Sequence, residues 1–160
     1  MSGMTDPSFA LESFQLAVSA GGIHLEQGRI HPDVHLHVDQ AHGKPRFTYV
    51  RLEGSVVTAF ATFVPNGHDR GHANLTVGYA VPEPYRNQGR AKSIFAAGIT
   101  ELQNAFRGHP PFYIEAVVGA HNIASLRVAA AVLGGAPESI EDENSGEPAL
   151  RYAKLYETGK

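Results

Sequence analysis

Two extended runs, Asn74–Val81 and Phe112–Val118, flank one amphipathic stretch, and this order constrains the fold more than any other feature of the chain. Phe95, Ile99, Leu102 and Phe106 recur at i, i+4, i+7 and i+11, a single apolar stripe at helical spacing. Gly108, Pro110 and Pro111 end that helix, which is expected over about residues 90–107. Pro82 and Pro84 stop the first strand, because neither can donate to a central ladder. The second strand is almost wholly apolar, as befits one covered on both faces. Strand, helix and strand make a βαβ unit with parallel strands and a right-handed crossover.

The flanking segments read as simpler pieces. Pro7–Ser19 predicts a short helix stopped by Gly21-Gly22. Val34, Leu36 and Val38 alternate with His35, His37 and Asp39, the period of a strand with one buried face. Ala41-His42-Gly43-Lys44-Pro45 reads as a turn, and Arg46–Glu53 with Ser55–Val64 as a hairpin about Gly54. Pro65-Asn66-Gly67 is expected to close that pair, with a polar loop running to His72. Asn122 can cap a helix whose stripe is Leu126, Ala130 and Leu133, ended by Gly134-Gly135. Residues 138–147 read as acidic and turn-rich, and Ala149–Glu157 as a closing strand. The expected class is α+β: a mixed, mostly antiparallel sheet flanked by helices, with the parallel βαβ unit at its centre.

Length and composition narrow the chemistry. At 160 residues the chain is expected to be one domain, 1–160, large enough to bury a core without staples. It has no cysteine, which excludes a thiolate nucleophile, Cys-ligated zinc and any disulfide framework. The formal charge of −3 argues against a nucleic-acid or an anionic-membrane partner for the surface as a whole. No stretch approaches the roughly 18 uninterrupted apolar residues of a membrane span. The first basic residue is Arg29, so no export signal is expected and the expected location is cytoplasmic.

The connection Tyr85-Arg86-Asn87-Gln88-Gly89-Arg90-Ala91-Lys92, between the first strand and the helix, is electrostatically odd. A helix N-terminus offers free N–H groups and a partial positive charge, so Arg86, Arg90 and Lys92 there cost about 0.3–1 kcal/mol each. A bound phosphate, receiving amides and cations together, would remove the conflict. Gly89 would let the backbone approach it and Ala91 would keep the path open. A solvated turn, with glycine present for geometry alone, is the alternative. Neither a Walker A loop nor a G-x-G-x-x-G fingerprint is present.

Arg86-x-x-Gly89-x-Ala91 resembles the Q/R-x-x-G-x-G/A signature of the GNAT superfamily, the CoA-dependent N-acetyltransferases. Val77-Gly78-Tyr79-Ala80-Val81-Pro82 resembles that family's fourth strand. Ile114-Glu115-Ala116-Val117-Val118, followed by Asn122-x-x-Ser125-x-Arg127-Val128, is similar to its second motif. That form is typical of the branch containing ribosomal-protein N-terminal acetyltransferases. The resemblance covers about residues 74–134. It implies that two neighbouring strands splay apart to receive the pantetheine arm of acetyl-CoA. The backbone of Tyr79, Ala80 and Val81 would then bond the pantetheine amides, and Arg86, Asn87, Gln88, Gly89, Arg90 and Ala91 would hold the pyrophosphate. Asn122 would contact the pantetheine arm, with Ser125 close to CoA, and simple helix capping by Asn122 is compatible with that role.

Two positions depart from the family pattern. The tyrosine seven residues after the asparagine, an acid toward the leaving thiolate in many members, is here Ala129. The usual closing Gly-Phe is Gly134-Gly135, one residue late. The acid is therefore unassigned among Tyr79, Tyr85, Tyr152 and Tyr156. A protonated amine must also lose a proton before it attacks a thioester. Glu115, a lone carboxylate in an apolar strand, is the candidate catalytic base, its proton affinity expected to rise with burial. A solvent-facing strand residue or an ion pair is the alternative for Glu115, and His72 or an ordered water stands next in line as base.

His24, His31, His35, His37 and His42 cluster in sequence without a metal-binding pattern, so no metal is expected. Glu138, Glu141, Asp142, Glu143 and Glu147 form an acidic run. The resemblance places that run at the acceptor mouth, which would favour a cationic amine, and a merely solvated loop is the alternative. The function expected is transfer of an acetyl group from acetyl-CoA to a primary amine, on a small molecule or a protein N-terminus, by direct attack in a ternary complex. The alternative is a non-catalytic CoA- or acyl-CoA-binding domain acting as sensor or scaffold. A nucleic-acid-directed acetyltransferase is disfavoured by the net charge, and the oligomeric state, homodimer included, stays open.

Overall fold

The parallel pair forms where the sequence places it, and the rest of the sheet is laid on either side of it. The computed structural model describes residues 7–143 and 145–159; residues 1–6, 144 and 160 of the expected 1–160 domain lie outside the described residues. A helix α1 (Pro7–Ser19) precedes strands β1 (Glu26–Gln27), β2 (Val34–Ala41), β3 (Lys44–Glu53), β4 (Val56–Asp69) and β5 (His72–Ala80). Then follow α2 (Arg90–Ala105), β6 (Phe112–Gly119), α3 (Ile123–Leu133), β7 (Glu138–Glu141) and β8 (Pro148–Tyr156). The strands make one sheet in the order β1-β2-β3-β4-β5-β6-β8-β7, in which only β5 and β6 are parallel neighbours. This is the mixed, mostly antiparallel α+β architecture expected. No helix among the described residues is long and apolar enough to cross a membrane.

Three expectations need correction. The β4–β5 hairpin turns at Arg70-Gly71, both with positive φ, and not at Pro65-Asn66-Gly67. A bulge between Pro65 and His68 absorbs the turn-like residues, so the strand bends there and runs on to Asp69. Likewise His42 and Gly43, at φ 52° and 78°, suffice to join β2 to β3, which takes Lys44 and Pro45 into the strand. Residues 138–141, read as part of a turn-rich stretch, form edge strand β7, because Ser139 and Ile140 pair with Leu150 and Ala149.

Two cores sit on opposite faces of the sheet. On one face α2 and α3 cover Tyr49, Phe63, Leu75, Val77 and Ile114 with the stripe Phe95, Ile99 and Leu102. Each such side chain contributes about 1.5–3 kcal/mol on burial. A Cβ on Gly98 would lie 2.7 Å from Phe63 Cε1, so glycine there lets α2 settle onto the sheet. On the other face α1 lays Leu11 and Phe14 on Val50, Phe60 and Ala80. Beside α1 that second face is polar, and the sheet opens there.

Candidate functional site

The β5–β6 ladder holds four rungs: Ala73 with Phe112, Asn74 with Tyr113, Leu75 with Ile114, and Thr76 with Glu115. Beyond Thr76 and Glu115 the strands part. Val77–Ala80 stays paired with β4, and Ala116–Gly119 with β8, so each strand keeps one unpaired edge facing the gap. An unpaired edge is a template for an extended, amide-bearing ligand. Tyr79 spans the helix side of this fork. Its ring stacks on Phe95 of α2 with centroids 5.1 Å apart, its hydroxyl donates to the Ser125 carbonyl at 2.8 Å, and it accepts from Ser125 Oγ at 2.9 Å. Burial pushes its phenol above the ordinary value, so the group is protonated at neutral pH.

The arm of the fork ending at Val81 leads into the connection singled out above. A 3-10 turn, Glu83–Tyr85, is followed by Asn87 at φ 63° and by Gly89 at φ 72°, which caps α2 without a side-chain hydrogen bond. The first helical bond is Ser93 N–H to the Gly89 carbonyl at 3.0 Å. The amides of Asn87 through Lys92 therefore find no acceptor among the described residues, and the turn is exposed. The cations are placed differently from the expectation. Arg86 Nε donates to the Val81 carbonyl at 2.8 Å and braces the turn against the strand end. Arg90 bends to the β3–β4 hairpin, with one guanidinium nitrogen 3.2 Å from Thr58 Oγ1 and another 3.9 Å from Glu53, its guanidinium over the Tyr85 ring. Lys92 is exposed. Sequence reasoning missed Arg51, which reaches from β3 to donate to Ser93 Oγ at 2.7 Å on the first turn of α2. Its alternation with buried Tyr49 was the available signal.

Asn122 caps α3, its Oδ1 accepting from Ser125 N–H at 3.2 Å, so the capping role is realised at the fork mouth. Ala129, the departure from the family tyrosine, is fully buried within α3. Among the four tyrosines left unranked, Tyr85 lies beneath Arg90 and Tyr156 packs on Phe112. Tyr152 is buried beside Ala116, its β6 pairing partner. Tyr79 is hydrogen-bonded to Ser125 across the fork.

Glu115 requires the largest revision. It is 5% exposed and carries partners on both oxygens. Arg151 Nε donates to Oε1 at 2.5 Å, while Asn66 Nδ2, at 2.9 Å, and the Thr76 hydroxyl donate to Oε2. Burial alone would push the carboxyl up, but the hydrogen bonds from Thr76, Arg151 and Asn66 outweigh it and hold the group below its ordinary value. The expected rise in proton affinity is thus reversed, and the ion-pair alternative describes the side chain. Arg151 also binds Asp69 Oδ2 at 2.8 Å, linking the end of β4 to β8. His72 shares the Thr76 face but lies six residues from Gly78, about 20 Å along the strand, and its ring meets Tyr113.

The histidine segment makes no metal cluster among the described residues. His37 Nδ1 lies 2.9 Å from the His24 carbonyl and its ring rests near Phe14. In the acidic run, Glu138, Glu141, Glu143 and Glu147 are exposed at the β7 edge and the turn beyond it.

No family model matches the sequence, and no curated protein matches it. Solved structures do match. Mycobacterium smegmatis RimJ, in complex with CoA-disulfide, is similar over 97% of this chain and 67% of its own, at 19% identity and TM-score 0.56. RimL, a ribosomal L7/L12 alpha-N-protein acetyltransferase in complex with coenzyme A, matches over 69% and 62%, at 18% identity and TM-score 0.52. A GNAT-family acetyltransferase from Streptococcus pneumoniae matches over 69% and 66%, at 12% identity and TM-score 0.52. The chain spans 62–67% of the length of these three proteins. Its fold is that of the GNAT acetyltransferases.

Proposed function

We propose that the protein is an N-acetyltransferase that moves an acetyl group from acetyl-CoA to a primary amine by direct attack in a ternary complex. The observation that carries this reading is the fork between β5 and β6, whose free strand edges lead at Val81 into an exposed turn of unbonded amides. The gap suits a chain with its own amide groups, and the turn suits a pyrophosphate, so the residues present fit CoA. The backbone of Tyr79, Ala80 and Val81 would hold the pantetheine arm, and the amides from Arg86 to Ala91 the pyrophosphate. Asn122 and Ser125 line the fork mouth on the α3 side. RimJ and RimL, which share the fold, are themselves in complex with CoA-disulfide and with coenzyme A.

Acetyl-CoA would supply the acetyl group as a thioester, already activated. The chain's part is placement and proton traffic. Tyr79, protonated at neutral pH and bonded to Ser125, can give a proton to sulfur as the C–S bond breaks. The acceptor must lose a proton as its C–N bond forms, and with the Glu115 carboxylate already ion-paired to Arg151 that proton goes to water. Ala129 in place of a second tyrosine, together with the ion-paired state of Glu115, favours one other reading: a CoA-binding domain without turnover.

Calorimetric titration with CoA and thiol release from acetyl-CoA with a panel of amines test both. Binding with amine-dependent thiol release supports the enzyme. Binding without release for any amine supports the sensor. Absence of CoA binding overturns both.

A further inference from the structure

We propose that Thr76 and Glu115 are a positioning pair: their side-chain contact across the last rung of the parallel ladder sets where β5 and β6 part, and so where the donor thioester rests. The inference stands on the acetyltransferase reading and assigns Glu115 a role other than base. Four observations carry it. Among the four β5–β6 rungs, only the last has a side-chain hydrogen bond across it, from the Thr76 hydroxyl to Glu115 Oε2. Glu115 also gathers Asn66 from β4 and Arg151 from β8, so one carboxylate ties together every strand around the fork. Both its oxygens are occupied, which suits an anchor and leaves a proton acceptor little room. A buried carboxylate is tolerated only while those partners stay in place, so the arrangement resists both slippage and unzipping.

The magnitude shows why such an anchor matters. A parallel ladder is the weaker kind per residue, and this one has four rungs. Zipping or unzipping one rung moves the parting point by about 3.3 Å. A misplacement of about 1 Å can cost a reaction about a hundredfold. Without a lock at Thr76 and Glu115, the fork would sample positions that place the thioester wrongly.

The test compares Thr76→Val, Thr76→Ser, Glu115→Gln and the double variant Thr76→Val/Glu115→Gln with the natural protein. Thr76→Val keeps shape and removes only the hydroxyl, so it contains no proton-transfer change. A positioning pair predicts that Thr76→Val and Glu115→Gln each raise the KM for acetyl-CoA and lower kcat, by about tenfold or more in kcat/KM. The double variant should be little worse than the poorer single one, because the two residues make one contact. Thr76→Ser should restore most of the activity. Amide exchange in the CoA-free protein should accelerate at residues 73–76 and 112–115 in both single variants.

Wild-type kinetics and exchange in Thr76→Val would overturn the proposal. A loss in Glu115→Gln confined to kcat would then return that residue to the role of base. If Glu115→Gln does not fold, Thr76→Val and Thr76→Ser decide alone. If the natural protein neither binds CoA nor turns over, the acetyltransferase reading fails, while the exchange rates still report whether the contact locks the ladder.

Discussion

Two places in this molecule gather backbone N–H groups that no backbone carbonyl accepts, and they are finished in opposite ways. In the loop before β2, the amides of Arg29, Ile30 and His31 converge on the buried carboxylate of Glu101, at 2.9, 2.9 and 2.6 Å. The loop is wound so tightly that a Cβ on Gly28 would lie 2.5 Å from the His31 carbonyl and 3.1 Å from Glu101 Oε2. At the start of α2, the amides from Asn87 to Lys92 meet no carboxylate, and the charged residues within the turn itself, Arg86, Arg90 and Lys92, are all cations. The chain thus supplies its own anion where the nest is structural. Where it supplies cations instead, the pyrophosphate of the proposed CoA ligand would complete the site.

The largest expected effect comes from making the second nest resemble the first. Gly89→Glu would place a carboxylate at the open amides, and CoA affinity should fall more than about a hundredfold by calorimetry. The strain of a side chain at φ 72° adds roughly 1–2 kcal/mol, which Gly89→Ala shares without the charge. The alanine variant should therefore lose less than about tenfold. Equal losses in the two variants would mean that backbone geometry, not the anion, governs the turn, and the comparison would break.

The converse change removes the anion from the first nest. Glu101→Gln leaves three converging amides with a neutral acceptor. Hydrogen bonds to a charged partner contribute about 1.5–3 kcal/mol, so denaturant unfolding should show a loss of about 1–3 kcal/mol. CoA affinity should be unchanged. A variant of full stability would show that the Glu101 charge is dispensable to the loop.

The nests also show what a linear reading can and cannot reach. The βαβ unit, the Asn122 cap and the exposed turn were legible because each depends on neighbours in sequence: a 3.6-residue stripe, an i to i+3 bond, a glycine at a helix start. Glu115 was legible as an oddity but not as an anchor. Its partners Asn66, Thr76 and Arg151 stand 49, 39 and 36 residues away, and only the sheet order brings them together. Arg51, 42 residues from Ser93, escaped for the same reason. The misplaced hairpin tip has a different cause. Pro65-Asn66-Gly67 has the composition of a turn, and a bulge uses that same composition inside a strand.

Acid should separate the fork from the turn. The Glu115 carboxyl is held below its ordinary value of 4.5 in the folded state, so the stability it contributes is present above that value. That contribution is lost as pH falls through the lower, folded-state value. The turn from Arg86 to Lys92 contains no carboxyl group. Fluorescence-monitored unfolding from pH 7 to pH 3 should therefore show stability declining below about 4.5. In Glu115→Gln the decline should be shallower. A decline of the same steepness in both proteins would place the acid-sensitive group elsewhere, Asp33 and Asp39 being the other carboxyls held low by arginine.

The smallest effect concerns the proposed acceptor side, where charge is the reverse of that at the turn. Glu138, Glu141 and Glu143 are exposed on β7 and just beyond it, at the sheet edge next to β8, and β8 carries Arg151. Such carboxylates repel one another, and a cationic amine drawn toward them would relieve that repulsion. Attraction between solvent-exposed charges is screened over about 8 Å at physiological salt, so the gain is a matter of encounter more than of grip. Cationic acceptors are expected to have a higher kcat/KM than neutral ones, and the preference should shrink as salt rises. Replacing Glu141, Asp142 and Glu143 together by Gln, Asn and Gln should raise the acceptor KM a few-fold and flatten the salt dependence, with the KM for acetyl-CoA unchanged. If instead both KM values move, the run influences the CoA turn across the sheet, and the division between a cation-lined donor end and a carboxylate-lined acceptor end does not hold.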